Sequence, residues 1–300
     1  MSSQPPPHLH LAERAAERLA ALGAQAGVLL PETPSLARSP ARSPAAPVAP
    51  APLHEEVPPG ERAPDISLAA LTRAGLVAGM ARHSRLSEEF RIVQSQALRN
   101  MPAPGADPSL LANTIMVTSA RPGEGKSFTA LNLAASIARF SERSVVLVDA
   151  DAKHGALSRP LEVDDRPGLL DLALDPAHPV ATLALSTAPS PSLLFVPIGA
   201  PAASRAASYA STPLLPAIAA IARHFAHSII VIDAPPCLAS STAGTLAAQI
   251  AQTVIVVEAE ETQRSEVNAA LDMIEACRSA SLVLNKIRHT NSRSFGAHEY

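Results

Sequence analysis

With only two cysteines in 300 residues, Cys237 and Cys277, the chain cannot build a disulfide framework, and this usage points to a reducing compartment. It has no basic excess either. The formal net charge is −3 and the pI is 6.4, whereas gripping a phosphate backbone takes clustered lysine and arginine, so nucleic acid is not expected as a partner. The sequence holds no run of about 20 uncharged apolar residues that could span a bilayer. Its opening, Met1-Ser2-Ser3-Gln4-Pro5, lacks the basic-then-apolar layout of a secretory signal. The expectation is a soluble, cytoplasmic protein. His224 and His227 are near each other but have no cysteine or carboxylate at metal-ligand spacing, so no zinc site is expected. Cys237, directly after Pro236, reads as a small buried apolar residue rather than a reactive thiol.

Proline is plentiful but local. From Pro31 to about Pro64 the chain is dominated by Pro, Ala and Ser, which supply neither backbone donors nor a core, and residues 31–80 are read as a disordered, partly extended linker. Residues 1–30 before it carry one short amphipathic helix, with Leu11, Ala15, Leu19 and Leu22 on one face, suited to docking. Residues 81–288 differ in character. Leu86, Phe90, Val93 and Ala97 recur at helical spacing, and strands then alternate with helices. Strands are expected over 114–118, 144–148, 193–196, 229–232, 253–257 and 282–284, and helices over 127–140, 212–224 and 261–277. Near-continuous apolar strands separated by helices predict an α/β domain, a mostly parallel sheet flanked by helices on both faces. Residues 289–300 form a polar, flexible tail that ends in Tyr300.

The segment Ala120-Arg121-Pro122-Gly123-Glu124-Gly125-Lys126-Ser127 fits the P-loop pattern with alanine in place of the first glycine, between an expected strand and an expected helix. Glycines let such a loop turn its N–H groups onto phosphate oxygens, and the following helix adds its positive end. Lys126 would reach the β- and γ-phosphates of ATP, and the Ser127 hydroxyl would bind Mg²⁺. Two apolar strands run into acidic residues, at Asp149-Ala150-Asp151 and at Asp233-Ala234-Pro235-Pro236. Carboxylates at the C-terminal ends of parallel strands lie beside such a loop. One could coordinate the metal through water and another could accept a hydroxyl proton.

These three segments together resemble the bacterial tyrosine kinases (BY-kinases) of exopolysaccharide export, built on the MinD/ParA-type deviant-Walker P-loop fold. Gly168-Leu169-Leu170-Asp171-Leu172, Leu194-Phe195-Val196-Pro197-Ile198-Gly199 and Leu282-Val283-Leu284-Asn285-Lys286 match as well, so that the resemblance covers about residues 86–287. The segments 11–19 and 86–91 are similar to the autokinases encoded with exosortase (PEP-CTERM) exopolysaccharide systems. The resemblance implies ATP and Mg²⁺ as cofactors. It implies nucleotide contacts from Gly123, Glu124, Gly125, Lys126, Ser127 and Phe128, an adenine contact from Asn285, and metal ligation by Ser127, Asp151 and Asp233. Asp149 and Asp151 would divide proton acceptance and metal-water coordination, with Asp149 preferred as the base.

The same resemblance implies self-association through a helix bearing Glu88 and Arg91, phosphorylation of Tyr300 in trans, and a membrane chain-length protein as activator, which would recruit the chain to the inner face of the cell membrane. Three positions depart from the family. Lys153 stands for an arginine, Gln94 for a basic residue, and the terminal tyrosine cluster is reduced to Tyr300, with Tyr209 the only other tyrosine. Two further readings stay open: a ParA/MinD-like ATPase, and a nucleotide-binding scaffold. Against the ATPase stand Arg121, at the place of that group's signature lysine, and the double proline Pro235-Pro236.

Overall fold

The computed structural model describes residues 64–77, 84–103, 110–151, 157–188, 190–199 and 212–287, all within one compact unit, Gly60–Tyr300. The N-terminal helix expected near residues 9–22, most of the linker, Lys153, Tyr209 and the tail with Tyr300 lie outside the described residues.

The described chain runs α1 (Leu68–Arg73), α2 (Arg85–Arg99), β1 (Leu111–Ser119), α3 (Lys126–Phe140), β2 (Val145–Asp149), α4 (Leu169–Leu174), a 3₁₀ turn (Val180–Leu183), β3 (Leu185–Ser186) and β4 (Leu193–Val196). It continues through α5 (Leu215–His224), β5 (Ile229–Asp233), α6 (Thr242–Ala247), β6 (Ile250–Glu258), α7 (Arg264–Met273) and β7 (Ala280–Asn285). The strands form one sheet in the order β3-β4-β2-β5-β1-β6-β7. Every neighbouring pair is parallel except β3 with β4.

Successive side chains of a strand point to opposite faces, and here both faces are covered. Ile115, Val117, Leu147 and Val231 pack with Leu131, Leu133 and Ile137 of α3. Met116, Val146, Val148, Ile230 and Ile232 pack on the other side with Ile218 and Ile221 of α5. Double burial explains why these strands read as unbroken apolar runs. The edge strand β7 is different: its residues alternate between exposed and half-buried, and Leu282 and Leu284 face outward.

The linker assigned to residues 31–80 ends too late. Ser67 caps α1 by accepting a hydrogen bond from Ala70 N at 3.2 Å, and Ile66, Ala70, Leu71 and Leu76 are buried in the core beneath α3. Ile66 N donates to Ser186 O at 3.0 Å, bridging this segment to β3. Asn132 of α3 fastens the exit of α1, accepting from Val77 N at 2.8 Å and donating to Gly75 O at 2.9 Å. Gly75 takes φ +97°, and a Cβ there would come within 2.9 Å of the Phe128 ring, so only glycine suits this crossing. A six-residue helix is too short to show periodicity, and the proline-rich composition just upstream masks it.

On α2, Glu88 and Arg91 are exposed and paired with each other at 3.1 Å, and the Arg91 guanidinium also sits 5.2 Å from the centre of the Phe140 ring. Gln94 is not on that face. Three residues turn a helix by about 300°, so each step of three drifts by about 60°, and Gln94 has rotated into the seam with α3, where it accepts from Ser136 Oγ at 2.7 Å. The basic position expected there is replaced by a buried amide joined to the helix that follows the P-loop.

Leu71→Ala is expected to lower stability by about 3 kcal/mol, the usual cost of emptying a buried leucine site. Urea unfolding of the two proteins tests it, and an unchanged midpoint would show that α1 is not part of the domain.

Candidate active site at the ends of β1, β2 and β5

The phosphate loop connects β1 to α3. Gly123 and Gly125 have φ of +91° and +97°, and Gly125 serves as the N-cap of α3 without any side-chain capping bond. The first amides of α3 are therefore not satisfied by a side-chain cap, an arrangement that suits an anion. A side chain at Gly125 would overlap the Asn285 amide. Asn285 Nδ2 donates to Glu124 O at 2.8 Å, and Lys286 Nζ donates to Gly123 O at 2.7 Å, so the end of β7 props the loop from outside.

Beside the loop, the strand register sets Asp149 directly opposite Asp233. Asp149, Asp151 and Asp233 are all buried, together with Lys126. Lys126 Nζ lies 2.7 Å from Asp151 Oδ2 and 3.7 Å from Asp233 Oδ1, and donates to Ser127 Oγ at 3.2 Å. Burial pulls the lysine pKa down, but Asp233, Asp151 and Asp149 outweigh it and hold the value above that of an ordinary lysine. Burial pushes Asp233 up to about 7, against the pull of the Lys126 charge and the Ser127 hydroxyl.

The paired aspartates have different environments. Asp149 Oδ2 accepts from Ser158 Oγ at 2.7 Å, Ser158 N at 2.9 Å and Leu157 N at 3.3 Å, while its Oδ1 accepts from Asp151 N at 3.1 Å. Its burial raises the carboxyl pKa in spite of these bonds. Ser158 Oγ in turn accepts from Ile198 N at 2.9 Å, which ties Asp149 to the segment after β4. Asp151 instead reaches Lys126. Asp149 is thus held by four donors, while Asp151 reaches the loop lysine.

The donor set fits magnesium. Neither buried oxygen of Asp233 has a well-aligned hydrogen-bond donor, the Ser127 hydroxyl lies beside it, and all the candidate ligands are hard oxygens. Among the described residues no group of three histidine, cysteine or carboxylate side chains is arranged to hold a metal by itself. Ser127 and phosphate oxygens would complete the coordination.

Two contributors have no motif to announce them. Ser158, nine residues beyond Asp149, is one. Thr262 is the other: its hydroxyl donates to the buried carboxylate of Glu124. The family resemblance placed Glu124 among the nucleotide contacts, and the structure adds an inward-turned side chain whose Oε2 accepts from Arg121 N at 2.6 Å. Among the described residues no helix is long and apolar enough to cross a membrane.

Comparison with known proteins agrees with this architecture. The family model of the CobQ/CobB/MinD/ParA nucleotide binding domain matches residues 115–297. The chain is 30% identical over 169 residues to the putative tyrosine-protein kinase EpsB of Ralstonia nicotianae, a match covering 54% of this chain and 21% of that protein. The chain thus spans about a fifth of that relative's length. It is 28% identical over 223 residues to the tyrosine-protein kinase CpsD of Streptococcus agalactiae, covering 73% of this chain and 92% of the other. The solved kinase domain of the Escherichia coli tyrosine kinase ETK shares the fold, with a TM-score of 0.56 at 19% identity, over 70% of this chain and 80% of that one.

The raised Asp233 gives a pH test. Its folded pKa of about 7 exceeds the unfolded 3.8, so between these values the native state holds a proton that the unfolded chain releases. The contribution of Asp233 to the stability of the nucleotide-free protein then falls as pH rises from about 4 to about 7 and levels off above. Asp233→Asn removes that loss, with a gain at pH 8 of no more than about 4 kcal/mol and none near pH 4. Urea unfolding at both pH values measures the difference, and an equal effect at each would refute the assignment.

Proposed function

Because the chain belongs to the CobQ/CobB/MinD/ParA nucleotide-binding domain family, we propose that it is an ATP-dependent protein-tyrosine autokinase of a bacterial polysaccharide-export system. The observation that carries this reading is the convergence of Lys126, Ser127, Asp151 and Asp233 at the C-terminal ends of the central strands, in a chain whose relatives are named tyrosine-protein kinases. CpsD, named as such, is matched over nearly all of its length.

In this proposal the α3 amides and Lys126 bind the phosphates, and Asn285 borders the nucleotide from the end of β7. Ser127 and Asp233 would hold Mg²⁺, which would supply charge neutralisation at the phosphates. Asp151 accepts the proton of the attacking tyrosine hydroxyl as the phosphoryl group passes from ATP to the tyrosine oxygen and ADP leaves. Asp149 positions Asp151 through its bond to the Asp151 amide. Lys126 balances negative charge as it develops.

The acceptor is Tyr300, presented by the 289–300 tail to a neighbouring copy. The exposed Glu88–Arg91 pair, steadied by Phe140, is the self-association surface. The chain works in the cytoplasm, recruited to the inner face of the membrane by a chain-length protein that also activates it.

Intact-mass and fragment mapping after incubation with Mg·ATP tests the proposal. One phosphate on Tyr300 is expected, none with Lys126→Met, and loss of most of it with Tyr300→Phe. Phosphate release from ATP with no protein phosphorylation would replace the kinase by a ParA/MinD-like ATPase. The double variant Glu88→Ala/Arg91→Ala is expected to lower oligomer mass in light scattering, and an unchanged mass discards that surface.

A further inference from the structure

Glu124 occupies a position in the phosphate loop where a side chain could point to solvent, yet only 2% of it is exposed. Among the described residues its carboxylate makes no ion pair, and its partners are neutral donors. Oε2 accepts from Arg121 N, within the same loop, at 2.6 Å. Oε1 accepts from the Thr262 hydroxyl and, at 3.4 Å, from Glu258 N. One oxygen thus closes the loop on itself, and the other ties it to the turn between β6 and α7.

That turn is itself well held. Ala259 N donates to Asn285 O at 2.9 Å and Thr262 N to Glu258 O at 3.2 Å. Glu260 adopts φ +66°, and Gln263 N donates to Glu266 Oε2 at 2.9 Å as α7 begins. The Thr262 hydroxyl is therefore presented from a fixed backbone. A buried carboxylate supported only by neutral donors depends on each of them, because every lost donor leaves desolvated charge uncompensated. Without Thr262, Oε1 retains only the long contact to Glu258 N. Glu124 then has reason to turn outward to water, which would release Arg121 N and with it the loop conformation.

We propose that Thr262 is a positioning residue for the nucleotide site, its hydroxyl acting through Glu124 to fix the phosphate-binding form of residues 120–126. The inference rests on nucleotide binding at the P-loop and not on the kinase reaction. It assigns the Glu124 side chain an internal task, whereas the loop's backbone faces the ligand.

The experiment is a titration of the full chain with a fluorescent ADP analogue in the absence of magnesium, so that affinity reports the loop and Lys126. Thr262→Val keeps the shape and removes the donor, and is expected to weaken binding about tenfold, equivalent to about 1.4 kcal/mol. Thr262→Ser restores the donor and is expected within about twofold of wild type, on the scale where tenfold is 1.4 kcal/mol. In a Glu124→Ala background, Thr262→Val is expected to cause no further loss, since its route to the loop is already cut. Wild-type affinity in Thr262→Val overturns the inference, as does an undiminished loss in the Glu124→Ala background or a failure of serine to rescue. The two readings fail separately. No ADP binding by the wild type overturns both, whereas unchanged affinity in Thr262→Val beside a binding wild type overturns this inference alone.

Discussion

Three buried carboxylates meet one buried ammonium at the C-terminal ends of the central strands, and much of the molecule serves to keep that imbalance in place. Bringing charge out of water is costly unless partners replace the solvent. Asp149 has its replacement in the donors of residues 151, 157 and 158. Asp151 has Lys126. Asp233 has the Lys126 charge at 3.7 Å and the Ser127 hydroxyl, and burial raises its pKa as it raises that of Asp149. In the proposed reading, Mg²⁺ would relieve a desolvation penalty already present in the fold. The parallel register that pairs Asp149 with Asp233 is the geometric origin of this arrangement.

The second organising element is α3, which carries Lys126 and Ser127 at its start and is gripped along its length. Phe90 of α2 meets Phe128 with ring centres 5.9 Å apart, Gln94 meets Ser136, and Asn132 receives the chain leaving α1. The pair proposed for self-association borders this seam: Glu88 and Arg91 are exposed, and the Arg91 guanidinium sits over Phe140 at the end of α3.

The sequence made the central strands legible because each is buried on both faces, and periodicity cannot hide an unbroken run such as Ile229-Ile230-Val231-Ile232. The P-loop was legible because its chemistry demands glycines at set spacing, and the structure gives two of them left-handed φ values. Short elements were not. α1, α4, α6 and β3 are two to six residues long, less than two helical turns, and their existence depends on tertiary contacts such as Ile66 with Ser186. The different surroundings of Asp149 and Asp151 were equally hidden. Asp149 ends β2 and Asp151 comes two residues later, and what separates them is a segment returning at Ser158, a contact that no local pattern encodes. Gln94 stands where the family resemblance implies a basic residue, and its burial against Ser136 depends on how α2 packs on α3, which the sequence does not encode locally.

The strand order has a consequence for how the chain acquires its site. β1 has no neighbour among the strands synthesised soon after it: Thr114 pairs with Ile230 and Thr118 with Ile255. The loop that follows β1 therefore emerges from the ribosome long before β5 and β6, which must flank its strand. Non-local parallel pairing of this kind is slow, since chain entropy is lost before contacts reward it. The phosphate-binding loop therefore cannot take its place between β5 and β6 until most of the domain has been synthesised.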